Sequence, residues 1–576
     1  MTEQPTYPLR VASAWIHELA AALAGADETR LAALFLPDSY WRDLVAFTGD
    51  IGWVGGADAI VARMIAAHAS SAWRVSERHS PPRVVQRVGR EVVEAFIEFE
   101  TTTGPGSGVL RLDVQDEPRA WVLLTRLDDY GDSPKLRPRP RPAGVGYDPA
   151  ERRNWLDRRA EALDYSTRDP DVLVVGGGHS GLFAAAHLGR LGVDTLVVDR
   201  LERVGENWRE RYHSLALHNS SDMVQFPYLP FPDTYPEYLP KDQLATWFEV
   251  YVDAMEINYW TSTVFVGGSY DEVSRRWHVW LEREGAQVEL RPRHLVLATG
   301  GVGGAPSIPK LPGLQDFAGE VVHTKDFASG ADYAAKRVLV VGVGSSGHDA
   351  AFDLHRSGAQ VTMLQRNPTS VVNLDSANLS YRYYNDGTPI DEADLLSAAG
   401  FIHPLLIESL RSLTTITNER DRELLEGLRA AGLRLDDGEQ GAGWGLKFFE
   451  RGGGYYFNVG ASELIVDGSI GVLQASEVSE FTPEGVRLND GSTLRLDAVV
   501  LATGYLNQQA EIRQYFGDEV ADRVGVVSGF GEDGELRNAW RRTAQPGLWI
   551  MVSGFSAARI PSPLVAMQIR GDLDAG

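Results

Sequence analysis

Two stretches of this chain are near copies. VLVVGGGHSGLFAAAHL occupies 172–188 and VLVVGVGSSGHDAAFDL occupies 338–354, identical at eleven of seventeen positions. Each spaces its glycines as G-x-G-x-x-G: Gly176, Gly178 and Gly181, then Gly342, Gly344 and Gly347. Glycines at this spacing let a backbone turn tightly and approach a pyrophosphate, and a helix that follows offers the anion free N–H groups and the positive end of its dipole. Ser345 and Ser346 add hydroxyls to the second turn. One such motif also fits an ordinary tight turn. Two copies, each after a VLVV run and before an Ala-rich helical pattern, specify strand, turn and helix twice.

The register continues beyond the helices. The second strands end in VVDR and MLQR, placing Asp199 and Gln365 at matching positions, each followed by arginine. This is where a dinucleotide-binding unit reads the ribose. A carboxylate there bonds both ribose hydroxyls and repels a 2′-phosphate. An uncharged glutamine beside Arg366 lets the guanidinium grip that phosphate. The first unit therefore suits FAD or NAD, and the second suits NADPH or tolerates it. Together they imply one flavin and one nicotinamide brought together for hydride transfer.

The chain has 576 residues, enough for about three domains. Its net charge of −24 argues against nucleic-acid or anionic-membrane partners. No apolar run is long enough to span a bilayer, and MTEQPTYPLR lacks a secretory pattern, so a cytoplasmic location is expected. There is no cysteine, which excludes disulfides, thiolate ligands and the redox-active cysteine pair of the disulfide reductases. No metal-ligand spacing is present.

The elements that must position these residues divide as follows. Residues 1–130 read as three helices followed by antiparallel strands, with Asp27 a helix cap. That order resembles the NTF2-like (SnoaL-like) cone fold. The favoured role is packing or dimerisation, so a homodimer is one expectation. Residues 131–169 read as a Pro- and Arg-rich linker and a lead-in helix. A flavin domain runs over 170–312 and closes at Ala298-Thr299-Gly300; the same ending recurs at Ala502-Thr503-Gly504. The nicotinamide domain, 313–490, is expected to be inserted in the flavin domain, to which 491–576 returns. A helical insertion at about 375–450 is expected to wall the active site. The expected fold is α/β: two Rossmann-like domains preceded by an α+β cone.

Further motifs carry a family resemblance. Phe317-x-Gly319-x3-His323-x3-Phe327 resembles the fingerprint of the flavin-containing and Baeyer–Villiger monooxygenases. Gly205-x-x-Trp208 resembles the family's element near the flavin, LHNSSDMVQFPYLPFP (217–232) the segment that sets an Asn or Asp beside it, and LATGY the late ATG motif. The resemblance covers about 170–510. It implies FAD and NADPH, with NADH also usable. It further implies insertion of one atom of O2 into a small amine, sulfide or ketone through a C4a-(hydro)peroxyflavin. Asn219, eleven residues after Trp208, is the candidate contact to the flavin or its oxygen; His218 or Asp222 takes that place if the loop shifts. His323 is the second candidate catalytic residue, as an organiser of the domain junction. Thr299, Gly300, Thr503 and Gly504 would border the cofactors, and Arg366 matches the family's 2′-phosphate position.

Phe327 and the lack of a Lys-Arg-Pro element favour heteroatom oxygenation, whereas LQRNPTSVV is closer to the Baeyer–Villiger branch. The extra N-terminal domain resembles the type II flavin-containing monooxygenases, which also take ketones. Tyr455, Tyr456 and Asn458 are candidates for the substrate pocket. Two alternatives remain: a flavin reductase or oxidase that inserts no oxygen, and a non-catalytic flavin- or ligand-binding protein.

Overall fold

The computed structural model describes residues 6–69, 71–115, 118–131, 153–300 and 305–575. The expected linker lies almost wholly outside them. The N-terminal unit begins with α1 (Tyr7–Ala24), whose Trp15, Ile16, Leu19 and Leu23 form one buried stripe. Next come α2 (Glu28–Ala33), capped by Asp27 accepting the Arg30 N–H at 3.0 Å, and α3 (Ala57–Ala66). The sheet contains β1 (Phe35–Leu44), β2 (Ile51–Gly55), β3 (Arg74–Val75), β4 (Arg83–Arg87), β5 (Arg90–Glu100), β6 (Pro105–Asp113) and β7 (Arg119–Leu127). Its order is β2-β1-β7-β6-β5-β3 with β4 on β5, and β1–β7 is a parallel pair. Strand β1 has no clean alternation in the sequence, because Arg42 and Asp43 are buried polar residues. The lead-in helix is α4 (Trp155–Ala162), with an Asn154 capping box.

The first dinucleotide unit is β8 (Val172–Val175), α5 (His179–Arg190) and β9 (Thr195–Val198), then α6 (Glu206–Arg209), α7 (Lys241–Ala254) and β10 (Asn258–Trp260). An antiparallel sheet of β11 (Thr263–Asp271), β12 (Arg276–Arg283) and β13 (Ala286–Leu290) precedes β14 (His294–Leu297). The second unit holds β15 (Glu320–His323), β16 (Arg337–Val341), α8 (Ser345–Arg356) and β17 (Gln360–Gln365).

Between β18 (Ser370–Asn373) and its parallel partner β19 (Tyr455–Asn458) lies the helical insertion. It comprises α9 (Leu374–Ala377), a 3-10 turn at Asn378–Tyr381, α10 (Arg382–Asn385), α11 (Ile390–Gly400), α12 (His403–Arg420), α13 (Arg422–Ala430) and α14 (Gly443–Arg451). The chain then runs through α15 (Ala461–Val466) and β20 (Ile470–Gln474). A small sheet of β21 (Val478–Thr482), β22 (Gly485–Leu488) and β23 (Thr493–Arg495) leads to β24 (Ala498–Leu501). It ends with α16 (Gln508–Phe516), α17 (Asp518–Val524), β25 (Leu548–Ile550), α18 (Phe555–Ala558) and α19 (Pro561–Ala575).

Both main sheets are five-stranded and parallel, ordered β10-β9-β8-β14-β25 and β20-β17-β16-β24-β15. The repeat thus extends to topology: each glycine-motif strand lies between its ribose strand and its ATG strand. The nicotinamide unit is inserted between the sheet neighbours β14 and β25. The junction expected at 490 is displaced. β24 pairs with β16 in the second sheet, so that unit runs through LATGY before the chain returns.

The N-terminal sheet is buried on both faces. Leu395, Leu396, Ala398 and Ala399 of α11 join the core of α1–α3, and Ile402 and Leu405 pack on Val92, Trp121 and Val122. Among the described residues no single helix is long and apolar enough to cross a membrane.

Candidate active site

The two glycine turns have the same construction. Gly176 (φ +102°) and Gly342 (φ +121°) adopt left-handed backbone where an added Cβ would overlap the carbonyl oxygens of Ala298 and Ala502. The ATG endings therefore press on the first glycine of each motif. Gly181 and Gly347 pack as closely on the carbonyls of Gly176 and Gly342. Gly178 and Gly344 differ. A Cβ there meets nothing nearer than Asn207 Nδ2 at 3.6 Å and Tyr455 O at 3.8 Å, and φ is ordinary. Among the described residues, these two glycines have open space beside them. They are the N-caps of α5 and α8, which have no side-chain cap and no acid in the first turn. Uncapped N–H groups beside cleared space fit a dinucleotide pyrophosphate. Ser345 donates its hydroxyl to Tyr455 O at 3.1 Å, and Ser346 is half-buried beside it.

Asp199 sits at the end of β9. Its carboxylate accepts the Gly177 N–H at 2.7 Å and the Leu201 N–H at 2.9 Å. The Tyr259 hydroxyl also bonds it; burial and then the carboxylate push the Tyr259 pKa well up, so this tyrosine donates. Capacity for a ribose hydroxyl remains.

Gln365 does not read a ribose. It is fully buried, accepting from the Arg434 N–H (2.8 Å) and Gln474 Nε2 (2.9 Å) and donating to Asn367 O and Arg434 O. Its amide staples a loop, which is what strand-end position alone could not reveal. Arg366 stays exposed, and Arg434 joins it, donating Nη2 to Arg366 O at 2.6 Å. Among the described residues neither guanidinium has a carboxylate partner within ion-pair distance. Sequence reasoning missed Arg434, which carries no motif.

The ATG residues serve as anchors. Thr299 donates to Glu511 Oε2 at 2.5 Å and Thr503 to Ser307 O at 2.6 Å, while Gly300 O accepts from Gln508 Nε2 at 3.3 Å. Burial raises the Glu511 pKa. His323 completes the second anchor. Its Nδ1 accepts the Lys325 N–H at 3.1 Å, so the proton lies on Nε2 and is donated to Gly504 O at 3.2 Å. Burial lowers its pKa, which keeps the ring neutral. His323 thus ties the fingerprint to the LATGY crossing, while Phe317 and Phe327 belong to separate apolar clusters.

Near the first cradle, Trp208 stacks on Phe555 (centroids 5.9 Å), which stacks on His179 (4.0 Å). Among the described residues the buried Trp208 indole N–H has no acceptor. Asn219 is half-buried on a loop held by Leu217 N–H to Leu239 O (2.9 Å) and Ser221 N–H to Glu237 O (2.7 Å). Its side chain meets the Tyr381 hydroxyl.

The two alternatives to Asn219 point elsewhere. His218 faces Phe457 and the half-buried Asp349, whose carboxylate accepts from the Tyr212 hydroxyl across the two units at 2.7 Å. Asp222 lines a cavity of about 280 Å³ with Ser220, Glu237, Tyr238, Asp375, Asn378 and Asn385. Of the three β19 candidates, only Tyr455 faces Tyr381. Tyr456 stacks on His348 at 4.0 Å, and Asn458 donates to Asn373 and Glu463, so both serve the nicotinamide unit's packing. Among the described residues no His, Asp and Glu group is arranged for a metal.

Known proteins with this architecture give the site its context. The flavin-binding monooxygenase-like family profile matches residues 170–420. The chain is 34% identical over 360 residues to indole-3-pyruvate monooxygenase YUCCA1 of Oryza sativa subsp. japonica, covering 61% of this chain and 80% of that protein. It is 33% identical over 340 residues to probable indole-3-pyruvate monooxygenase YUCCA9 of Arabidopsis thaliana, covering 58% and 74%. Two solved structures share the fold at 18% identity and a TM-score of 0.52: OTEMO in complex with FAD and NADP (71% of this chain, 87% of that one) and ε-caprolactone-bound cyclohexanone monooxygenase (70% and 87%). By this sequence likeness the chain belongs to the flavin-binding monooxygenase-like family and is a flavin-dependent monooxygenase.

Proposed function

We propose that FAD lies in the cradle of Gly178 and NADPH in that of Gly344, and that the enzyme oxygenates a small neutral or cationic substrate, an amine or sulfide. The paired cradles, each with cleared space at an uncapped helix N-terminus, carry the cofactor reading. Bound there, the flavin supplies two-electron exchange with the nicotinamide and activation of dioxygen.

The chain's residues do the rest. The α5 and α8 N-termini bind the two pyrophosphates, Asp199 holds a ribose hydroxyl, and Arg366 with Arg434 holds a 2′-phosphate. Trp208 offers its free indole N–H. Asn219 offers an amide that donates and accepts without titrating, so its hydrogen bonding is constant with pH. His323 fixes the LATGY crossing as a neutral donor. The His179–Phe555–Trp208 stack excludes water, which would waste the activated oxygen.

The substrate class rests on the cavity beside the Asn219 loop, which carries Asp222, Glu237 and Asp375 and no lysine or arginine. Such a lining disfavours an anion. A second reading, a 2-oxo acid, is favoured by the likeness to proteins named indole-3-pyruvate monooxygenases.

The test uses isotope-labelled dioxygen with the FAD-loaded enzyme, NADPH and, in turn, a tertiary amine, a thioether, a cyclic ketone and indole-3-pyruvate. Label in the amine or thioether product is the expected result. Label only with indole-3-pyruvate or the ketone overturns the substrate class. Return of all oxygen as hydrogen peroxide with every probe overturns the placement of oxygen transfer in this site.

A further inference from the structure

The 3-10 turn Asn378–Tyr381 and α10 descend from the helical insertion onto the loop that carries Asn219. Two hydrogen bonds join them: Asn378 Nδ2 donates to the Tyr238 hydroxyl at 2.7 Å and the Ser220 hydroxyl donates to Asn385 Oδ1 at 2.9 Å. The Tyr381 hydroxyl lies beside the side chains of Ser556, Asn219 and Ser380. Ser380 gives its own proton to Ala377 O at 2.7 Å, so toward Tyr381 it only accepts. Ser556 belongs to α18, whose Phe555 stacks on Trp208 and His179. The Tyr381 ring packs with Trp444, Phe457 and Val372 of the nicotinamide side. Its hydroxyl therefore stands where three chain segments meet, and its ring packs against apolar side chains of both dinucleotide units.

An amide side chain has two orientations that exchange its donor and acceptor. Asn219 alone on a loop has nothing to choose between them. A hydroxyl that fixes one end of the amide decides what the other end presents. We propose that Tyr381 is the positioning residue for Asn219, and that the helical insertion thereby governs whether activated oxygen reaches substrate or leaves as hydrogen peroxide. This rests on FAD lying in the first cradle beside Asn219. Burial raises the Tyr381 pKa, so the hydroxyl keeps its proton throughout the neutral range.

Coupled turnover takes NADPH, a proton, O2 and substrate to NADP⁺, water and oxygenated substrate. Uncoupled turnover takes NADPH, a proton and O2 to NADP⁺ and hydrogen peroxide. The experiment compares Tyr381→Phe, Asn219→Ala and the double variant in the full FAD-loaded chain, without organic substrate. Peroxide release in air is one readout; the absorption bands of resting, oxidised bound FAD are the other, independent of turnover.

Tyr381→Phe is expected to speed peroxide release about tenfold, to shift the flavin bands as Asn219→Ala does, and to leave the KM for NADPH unchanged. The double variant should be no worse than Asn219→Ala, because the two residues act as one unit. Asn418→Ala, which removes a 2.7 Å hydrogen bond to Asp437 inside the same insertion but away from α10 and α11, should keep the parent leak and spectrum. If Asn219→Ala changes both readouts and Tyr381→Phe neither, the positioning role is overturned and the site stands. If Asn219→Ala changes neither, the placement of Asn219 falls and this inference with it. An equal leak from Asn418→Ala means general loosening, and also overturns it.

Discussion

Adding one methyl at each of three glycines should have three different consequences. At Gly342, φ is +121° and the new Cβ overlaps Ala502 O, so Gly342→Ala must move a sheet strand. Strain and overpacking together cost about 2–5 kcal/mol, enough to unfold the second unit in a marginally stable protein. At Gly344 the backbone is ordinary and the nearest protein atom lies 3.8 Å from the new Cβ. The only fold penalty is replacing a glycine N-cap by alanine, about 0.5–1 kcal/mol. The methyl instead fills the space kept for a pyrophosphate. Overpacking of about 1–3 kcal/mol weakens binding roughly 10- to 100-fold. Gly178→Ala should do the same in the first cradle, with 3.6 Å to Asn207 Nδ2. The assay titrates FAD into apoprotein and measures the KM for NADPH, with thermal unfolding alongside. Gly344→Ala should weaken NADPH and spare FAD, Gly178→Ala the reverse, and both should keep the parent Tm within a few degrees. A Gly344→Ala protein that binds NADPH normally, or loses FAD instead, refutes the argument from empty space.

The other expectations are more local. Arg366→Ala and Arg434→Ala should each raise the KM for NADPH about tenfold, the loss of a charge-assisted bond of ~1.5 kcal/mol or more, while leaving NADH unchanged; equal effects on both nucleotides rule out a 2′-phosphate role. In the N-terminal sheet, burial alone would raise the Glu94 pKa, but Arg111 and Arg87 outweigh it and hold the carboxyl at about 2. A depressed carboxylate stabilises above its unfolded value of 4.5 and loses about 3 kcal/mol as pH falls from there through 2, so Glu94→Gln should flatten Tm against pH in that window; parallel curves contradict it. Arg42 is paired with Glu535 at 2.7–2.8 Å, both side chains nearly inaccessible, so Glu535→Ala should cost about 3–5 kcal/mol and Arg42→Met with Glu535→Leu markedly less. Denaturant unfolding of Arg42→Met, Glu535→Leu and the double reads this coupling, and additive losses remove it.

The sequence made the cradles legible because their glycines answer to local backbone contacts. Gly176 and Gly342 each press on an ATG carbonyl, so glycine spacing and ATG spacing repeat together. The same repeat held the domain junction. If β14 pairs with β8, then β24 must pair with β16, and the second unit cannot end before LATGY. Asn219 was a candidate through its distance from Trp208, and the cap at Asp27 was legible through its side chain. Tyr381 and Arg434 were not, since they reach their places through an insertion whose docking is set by tertiary packing. Gln365 misled because strand-end position does not tell an amide that faces a ligand from one that staples a loop. Strand β1 escaped because its buried Arg42 finds its partner nearly five hundred residues away.

The N-terminal unit holds the segment that follows Tyr381. The Ser80 N–H donates to Glu392 Oε1 at 2.7 Å, Arg87 lies over the Tyr383 ring at 5.5 Å, and Arg42 Nη1 donates to Ala398 O at 2.9 Å. All three fall on α10 and α11, the helices directly behind the turn that meets Asn219. Glu392 is 3% exposed, so Glu392→Ala leaves the Ser80 N–H in a buried seam without its acceptor, at a cost of about 1–3 kcal/mol. If α10 and α11 transmit position as rigid elements, this variant should also leak more hydrogen peroxide per NADPH, although it touches neither cradle. Thermal unfolding and peroxide release on the same preparation separate the two effects. A protein that melts earlier while leaking no more would stop the coupling at α11 and reduce the N-terminal unit to a packing partner. Earlier melting together with more peroxide, with the KM for NADPH unchanged, makes that unit part of how this enzyme keeps its oxygen.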